Sequence, residues 1–141
     1  MKTGIFGGAF DPVHRGHTDS ARAVLDEFGL DRVLMIPLKH PVHKDTCTAS
    51  PEDRLAMLRC ALEGESRIMA DDCELRREGG SYTIDTLQEL GERYPGDAFY
   101  LITGTDSFNT LRTWKDPLSI AACARFIILD RPGYQLDETI V

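Results

Sequence analysis

Lys2-Thr3-Gly4-Ile5-Phe6 runs directly into Gly7-Gly8-Ala9-Phe10-Asp11-Pro12-Val13-His14-Arg15-Gly16-His17, and this junction decides the fold. Lys2–Phe6 predicts a short strand. Gly16–Phe28 predicts a helix, with Ala21, Val24, Leu25 and Phe28 at the spacing of one buried face. A strand–glycine loop–helix junction aims backbone N–H groups and the positive helix end at one small volume. The two imidazoles of His14-Arg15-Gly16-His17 add donors able to carry positive charge near neutral pH. Such a notch suits a polyphosphate, with Gly16 leaving room for a phosphate against the backbone.

The spacing excludes the commoner phosphate loops. No Gly-x-x-x-x-Gly-Lys-Ser/Thr is present. The glycines do not form Gly-x-Gly-x-x-Gly either, which sets aside a dinucleotide-binding redox domain.

Outward from the junction, strands and helices alternate. Gly29 stops the first helix, and Arg32–Pro37 is a continuous apolar strand of the kind buried on both faces. Leu38–Ala49 is a polar loop. Ser50-Pro51-Glu52-Asp53 opens a second helix with a capping residue, proline at the first helical position and acids in the first turn. Leu55, Leu58 and Leu62 form its expected inner stripe. Arg67–Ala70 is a weaker strand, followed by an acidic-then-basic segment to Gly80. Thr83–Tyr94 is a third helix with Ile84, Leu87 and Leu90 inward, and Ala98–Thr103 is a strand. Gly104–Cys123 holds one or two short helices, Arg125–Leu129 is the last strand, and Pro132-Gly133 marks a turn in the tail.

This order predicts an α/β fold, a doubly wound Rossmann-like parallel sheet of about five strands with helices on both faces. Ligands bind such sheets outside the carboxyl ends of the strands. Gly7–His17, Leu38–Lys44, Ser81–Thr86, Gly104–Asp106 and Arg131 each follow such an end.

At 141 residues the chain is read as a single domain, and 42% hydrophobic with 28% charged residues is ordinary for a globular protein. Its net charge of −7 has the wrong sign for gripping nucleic acid by phosphates. All four histidines nevertheless lie between positions 14 and 43, with Arg15, Lys39 and Lys44 among them, which suits a small polyanion. No apolar run reaches membrane-spanning length and no signal peptide is evident, so a cytoplasmic protein is expected. Cys47, Cys60, Cys73 and Cys123 lack zinc-ligand spacing. Cys60 and Cys123 fall in apolar stretches and are expected to be buried. His40, His43 and Cys47 make too weak a grouping to assign a metal site. The sequence is compatible with a homo-oligomer and does not set the number of copies.

His-x-Gly-His resembles the signature of the superfamily that joins a nucleoside triphosphate to a phosphate-bearing acceptor and releases pyrophosphate. Four more segments sharpen the resemblance. Pro37-Leu38-Lys39-His40-Pro41-Val42-His43-Lys44, Ser50–Leu58, Glu74–Leu87 and Gly104-Thr105-Asp106-Ser107 with Thr113-Trp114 are similar, in order, to bacterial nicotinate-nucleotide adenylyltransferases. Arg131-Pro132-Gly133-Tyr134 continues the match. Ala9 stands where that family often has Thr, and Val42 replaces the second proline of its loop.

The resemblance implies transfer of AMP from ATP to nicotinate mononucleotide, giving nicotinate adenine dinucleotide and pyrophosphate in NAD biosynthesis. It places the backbone of Gly8, Ala9 and Phe10, together with Gly16, at the ATP phosphates. His14 and His17 become the catalytic pair, acting as cations alongside Mg²⁺ held mainly by phosphate oxygens. Gly104 and Asp106 would hold the adenosine ribose. Lys44 would meet the acceptor phosphate, with Arg131 as a further contact. Thr83 would bind the nicotinate carboxylate and Trp114 would stack on the pyridine ring. Taken without the resemblance, Trp114 reads as a packing residue, Thr83 and Asp106 as helix caps, and Lys44 as a solvated lysine. Arg76, Arg77, Arg112 and Lys115 read as surface residues.

The same family normally continues to an Ile-Ser-Ser/Ala-Thr-x-Ile-Arg segment that also contacts the ATP phosphates. This sequence holds no such motif, and the expectation is a domain truncated at its carboxyl end relative to the family. Two other readings stay open. One keeps the superfamily with another acceptor, nicotinamide mononucleotide or phosphopantetheine, or with cytidylyl transfer. The other is a nucleotide-binding fragment without turnover.

Overall fold

A computed structural model describes residues 1–39, 49–77, 82–130, 133, 135–137 and 139. Five parallel strands form one sheet: β1 (Lys2–Gly8), β2 (Arg32–Pro37), β3 (Ile68–Ala70), β4 (Ala98–Gly104) and β5 (Ala124–Leu129). Their spatial order is β3-β2-β1-β4-β5, so the winding reverses between β1 and β4. Register sets Gly8 beside Pro37, Phe6 beside Ile102, and Gly104 beside Leu129. The carboxyl ends of β1, β2, β4 and β5 therefore lie in one row.

Alternation along the central strands divides the core. Phe6, Val33 and Met35 join Ala21, Val24 and Leu25 of helix α1 (Arg15–Glu27) and Leu58 of α2 (Pro51–Ala61) in one cluster. Ile5, Leu34, Ile36 and Leu101 join Ile84, Leu87 and Leu90 of α4 (Thr83–Arg93) and Ile120 of α6 (Pro117–Cys123) in another. Each fully buried Leu or Ile contributes about 1.5–3 kcal/mol, so both layers are needed to hold the sheet. This is the doubly wound arrangement that the sequence predicts.

Three local expectations change. Cys73–Arg76 forms a single helical turn, α3, inside the acidic-then-basic segment for which no element is expected. Phe28 is not on the inner face of α1; it caps the helix, 45% exposed, while Thr18 is buried. Cys60 and Cys123 are exposed, and Cys73 is the buried thiol. Burial foremost, and then the neighbouring Asp71 carboxylate, push Cys73 up to about 12, which keeps it an uncharged packing group.

At the opposite end of the sheet, Asp97 accepts from the Thr3 hydroxyl (2.9 Å) and the Arg32 guanidinium (2.7 Å), and Arg32 lies over the Tyr94 ring. Burial alone would raise the Asp97 pKa. The Arg32 and Thr3 hydrogen bonds and the Arg32 charge outweigh it and lower it. A lowered carboxyl stabilises the fold above the unfolded value of about 3.9, and this contribution is lost as pH falls through the folded value. Asp97→Asn should therefore cost about 1–3 kcal/mol at pH 7, read by urea denaturation, with the gap closing below about pH 4. A gap that persists undiminished at pH 3 would exclude the carboxylate as its source.

Candidate active site

Beyond Gly8 the chain leaves the sheet and turns sharply at Phe10, whose φ of 48° lies in the left-handed region. A non-glycine residue holds that conformation only where its surroundings compel it. Here the Phe10 ring is buried, edge-on to Phe6 at 5.8 Å and to His17 at 5.1 Å. Apolar anchoring of the side chain thus sets the course of the loop backbone.

His14 is the N-cap of α1, and the cap is reciprocal. His14 Nδ1 accepts from the Gly16 N–H and His17 Nδ1 accepts from the His14 N–H, both at 3.1 Å. The rings stack with centroids 3.7 Å apart. This is a capping box built from two histidines in place of the usual hydroxyl and carboxamide or carboxylate. With each Nδ1 accepting, the proton of each neutral ring sits on Nε2, so both rings are donors without needing positive charge. The Gly16 and His17 N–H groups are taken by His14, through Nδ1 and the carbonyl oxygen respectively.

The room beside Gly16 is filled by the His14 ring, contrary to the expectation of space for a phosphate. A Cβ there would lie 2.8 Å from His14 Cε1 and 2.9 Å from Nδ1. Alanine for glycine in a helix normally gains about 0.5–1 kcal/mol, whereas loss of an N-cap costs about 1 kcal/mol. Gly16→Ala should therefore leave stability within about 1 kcal/mol while displacing the ring and slowing turnover at least tenfold. Unchanged turnover in this variant would show that the position of the His14 ring is immaterial.

On the α4 face of the sheet, a cavity of about 410 Å³ opens beside the same loop. Gly8 and Ala9 form one side, and Thr83, Leu87, Trp114 and Glu74 are among the rest. Thr83 is the first residue of α4 rather than its cap; Tyr82 holds the cap position and supplies no side-chain hydrogen bond. The helix start thus presents amide donors to the cavity, a ready site for an anion. Trp114 follows a 3₁₀ turn (Leu111–Thr113), and its indole N–H donates to the Thr110 hydroxyl at 3.0 Å, which orients the ring.

Two features of the cavity wall were not legible in the sequence. Glu74, 6% exposed, accepts from the Thr86 hydroxyl at 2.9 Å, and that hydroxyl accepts from Arg77 at 3.0 Å. Arg77, expected at the surface, is thereby tied to α4 and half-buried. Lys115 lines the cavity, 3.6 Å from Asp85 and over the Tyr82 ring.

Gly104 ends β4 and is the N-cap of α5 (Thr105–Phe108), so Asp106 lies within that turn and is not its cap. Both residues stand at the β1–β4 reversal but do not line the cavity. Phe10, His14, Gly16 and His17 also lie outside its lining, toward α1. Lys44 and Arg131 fall outside the described residues, as do His40, His43 and Cys47. Among the described residues no group of three or more His, Cys, Asp or Glu could hold a metal ion. No described helix is long and apolar enough to cross a membrane.

An open parallel sheet with a histidine-capped helix start and a cavity on either side of one glycine loop, at the reversal of strand order, is the doubly wound, nucleotide-binding type of α/β domain. A profile of the cytidylyltransferase-like family matches residues 5–140. The chain is 42% identical over 141 residues to the probable nicotinate-nucleotide adenylyltransferase of Opitutus terrae, covering 99% of this chain and 72% of that protein. Its counterpart in Aquifex aeolicus is 43% identical over 129 residues, covering 92% and 77%. The chain belongs to the cytidylyltransferase-like family and, within it, to the nicotinate-nucleotide adenylyltransferases. Plasmodium falciparum nicotinic acid mononucleotide adenylyltransferase complexed with NaAD shares the fold, with a TM-score of 0.84 at 22% identity over 99% of this chain and 70% of that one.

Proposed function

We propose that residues 1–141 form one adenylyltransferase domain that transfers AMP from ATP to nicotinate mononucleotide, yielding nicotinate adenine dinucleotide and pyrophosphate. The observation that supports this reading is the pair of features on opposite sides of Gly8–Phe10, each suited to an anion. Stacked imidazoles occupy the α1 side, and a cavity lined by the start of α4 and a tryptophan occupies the α4 side.

Chemically, the acceptor phosphate is already anionic and needs no general base. One of its oxygens attacks the α-phosphorus of ATP, forming a P–O bond while the bond to the bridging oxygen breaks and pyrophosphate leaves. Catalysis of such a transfer is mainly alignment and electrostatics. The Nε2–H groups of His14 and His17 and the backbone N–H groups of the loop would meet the charge that builds on the departing phosphates. Magnesium enters as part of the MgATP substrate, carried by phosphate oxygens. Asp106 would accept from the ribose hydroxyls. Lys44 and Arg131 keep the phosphate-binding roles that the family resemblance implies.

The start of α4 also sets acceptor choice. A carboxylate on the pyridine ring gains about 0.3–2 kcal/mol from an exposed helix N-terminus, and a neutral carboxamide lacks that charge term. Lys115 offsets the nearby Asp85 charge. Pyrophosphate release should therefore be measured with ATP and, side by side, nicotinate mononucleotide, nicotinamide mononucleotide and phosphopantetheine, with the product identified by mass. The reading expects the nicotinate acceptor to give the highest kcat/KM. Equal or greater efficiency with either of the others would overturn the acceptor assignment.

A further inference from the structure

Arg54 occupies the first turn of α2, beneath the floor of the site, and is 1% exposed. Its Nη1 donates to the Ala9 carbonyl at 2.8 Å and to the Leu38 carbonyl at 2.7 Å. Among the described residues no carboxylate pairs with it, and its Nε has no hydrogen-bond partner. A buried cation balanced, among the described residues, by two carbonyl dipoles is costly to hold, and what it secures in return is the position of those two carbonyls.

The two carbonyls belong to the loops that leave β1 and β2 side by side, and these loops are joined again where the Leu38 N–H donates to the Gly8 carbonyl. In a trans peptide the C=O and the following N–H point in opposite directions. Holding the Ala9 carbonyl toward Arg54 therefore turns the Phe10 N–H away from α2. Holding the Leu38 carbonyl does the same for the Lys39 N–H. Phe10 sits at positive φ, a conformation its own backbone does not favour, so the Ala9–Phe10 peptide needs an external hold to stay aimed.

We propose that Arg54 is a positioning residue for the nucleotide: it locks the Ala9–Phe10 and Leu38–Lys39 peptide planes so that their N–H groups face the bound phosphates. Its buried charge adds a fixed positive field behind the same loop. This rests on the reading of Gly8–Phe10 as the phosphate loop.

The test is ATP binding by calorimetry, with thermal unfolding run in parallel, on wild type, Arg54→Met, Arg54→Gln and Arg54→Lys. Both neutral variants should weaken ATP binding by about 30-fold or more, as expected for loss of hydrogen bonds to a charged group. Arg54→Lys, which keeps a buried donor cation, should recover most of that loss, a rescue that mere space-filling would not give. A folded Arg54→Met or Arg54→Gln that binds ATP within about threefold of wild type overturns the proposal, since that falls short of one such hydrogen bond. Failure of both neutral variants to fold would assign Arg54 to the core alone and also overturn it. Absence of ATP binding by the wild-type protein would instead sink the phosphate-loop reading on which the proposal stands.

Discussion

His17→Asn should slow turnover by about 10²–10³-fold, the loss expected for one preorganised donor, while stability changes by less than about 1 kcal/mol. The reason lies in the two separate tasks of the ring. Its Nδ1 accepts from the His14 N–H and completes the helix cap, whereas Nε2–H is the donor proposed for the phosphates. The side-chain oxygen of Asn can take the place of Nδ1, so the cap survives and only the donor is removed. His17→Gln makes the complementary change, since the Gln side-chain oxygen caps as in the usual box and its amide nitrogen adds a donor toward the Nε2 position. It should retain more turnover than His17→Asn and melt at a similar temperature. Equal losses of turnover in the two variants would show that a donor at the Nε2 position is not what the ring supplies, and near-normal turnover of His17→Asn would remove His17 from the catalytic residues.

Trp114→Ala should raise KM for nicotinate mononucleotide by about 10–100-fold, corresponding to about 1–3 kcal/mol of ring stacking, with little change in KM for ATP. The indole lines the cavity on the α4 side, away from the imidazole pair, so its removal should be felt by the acceptor alone. Its plane is set by the hydrogen bond to Thr110 and by packing near Phe126. Trp114→Phe keeps an aromatic face but loses that hydrogen bond, and should fall between the two. Steady-state kinetics with each substrate varied in turn check this. A variant whose KM rises for ATP instead would show that the cavity belongs to the nucleotide.

The architecture was legible because each layer repeats a simple period. Alternating or continuous apolar runs mark β1, β2 and β4, and three- and four-residue spacing marks α1 and α4. Topology then brings the loop ends together without reference to any single residue. What escaped was local and exceptional. Nothing in the sequence marks Arg54, because charged residues are almost never fully buried, and only the carbonyls of Ala9 and Leu38 explain its place. The histidine capping box escaped because caps are sought among hydroxyls and carboxylates. Phe28 fits the helical stripe by spacing but falls where the helix ends, so its ring turns outward. The single turn of α3 is too short for any period to register. Thr83 and Trp114 stood out only through the family resemblance, and the cavity places both on its wall.

The most direct test is a crystal structure of this protein soaked with a non-hydrolysable ATP analogue. The account predicts the triphosphate against the backbone N–H groups of Gly8–Phe10, with the Nε2 atoms of His14 and His17 within hydrogen-bond distance of its oxygens and the 410 Å³ cavity still open. A triphosphate seated in that cavity, or anywhere beyond reach of both imidazoles, would contradict it.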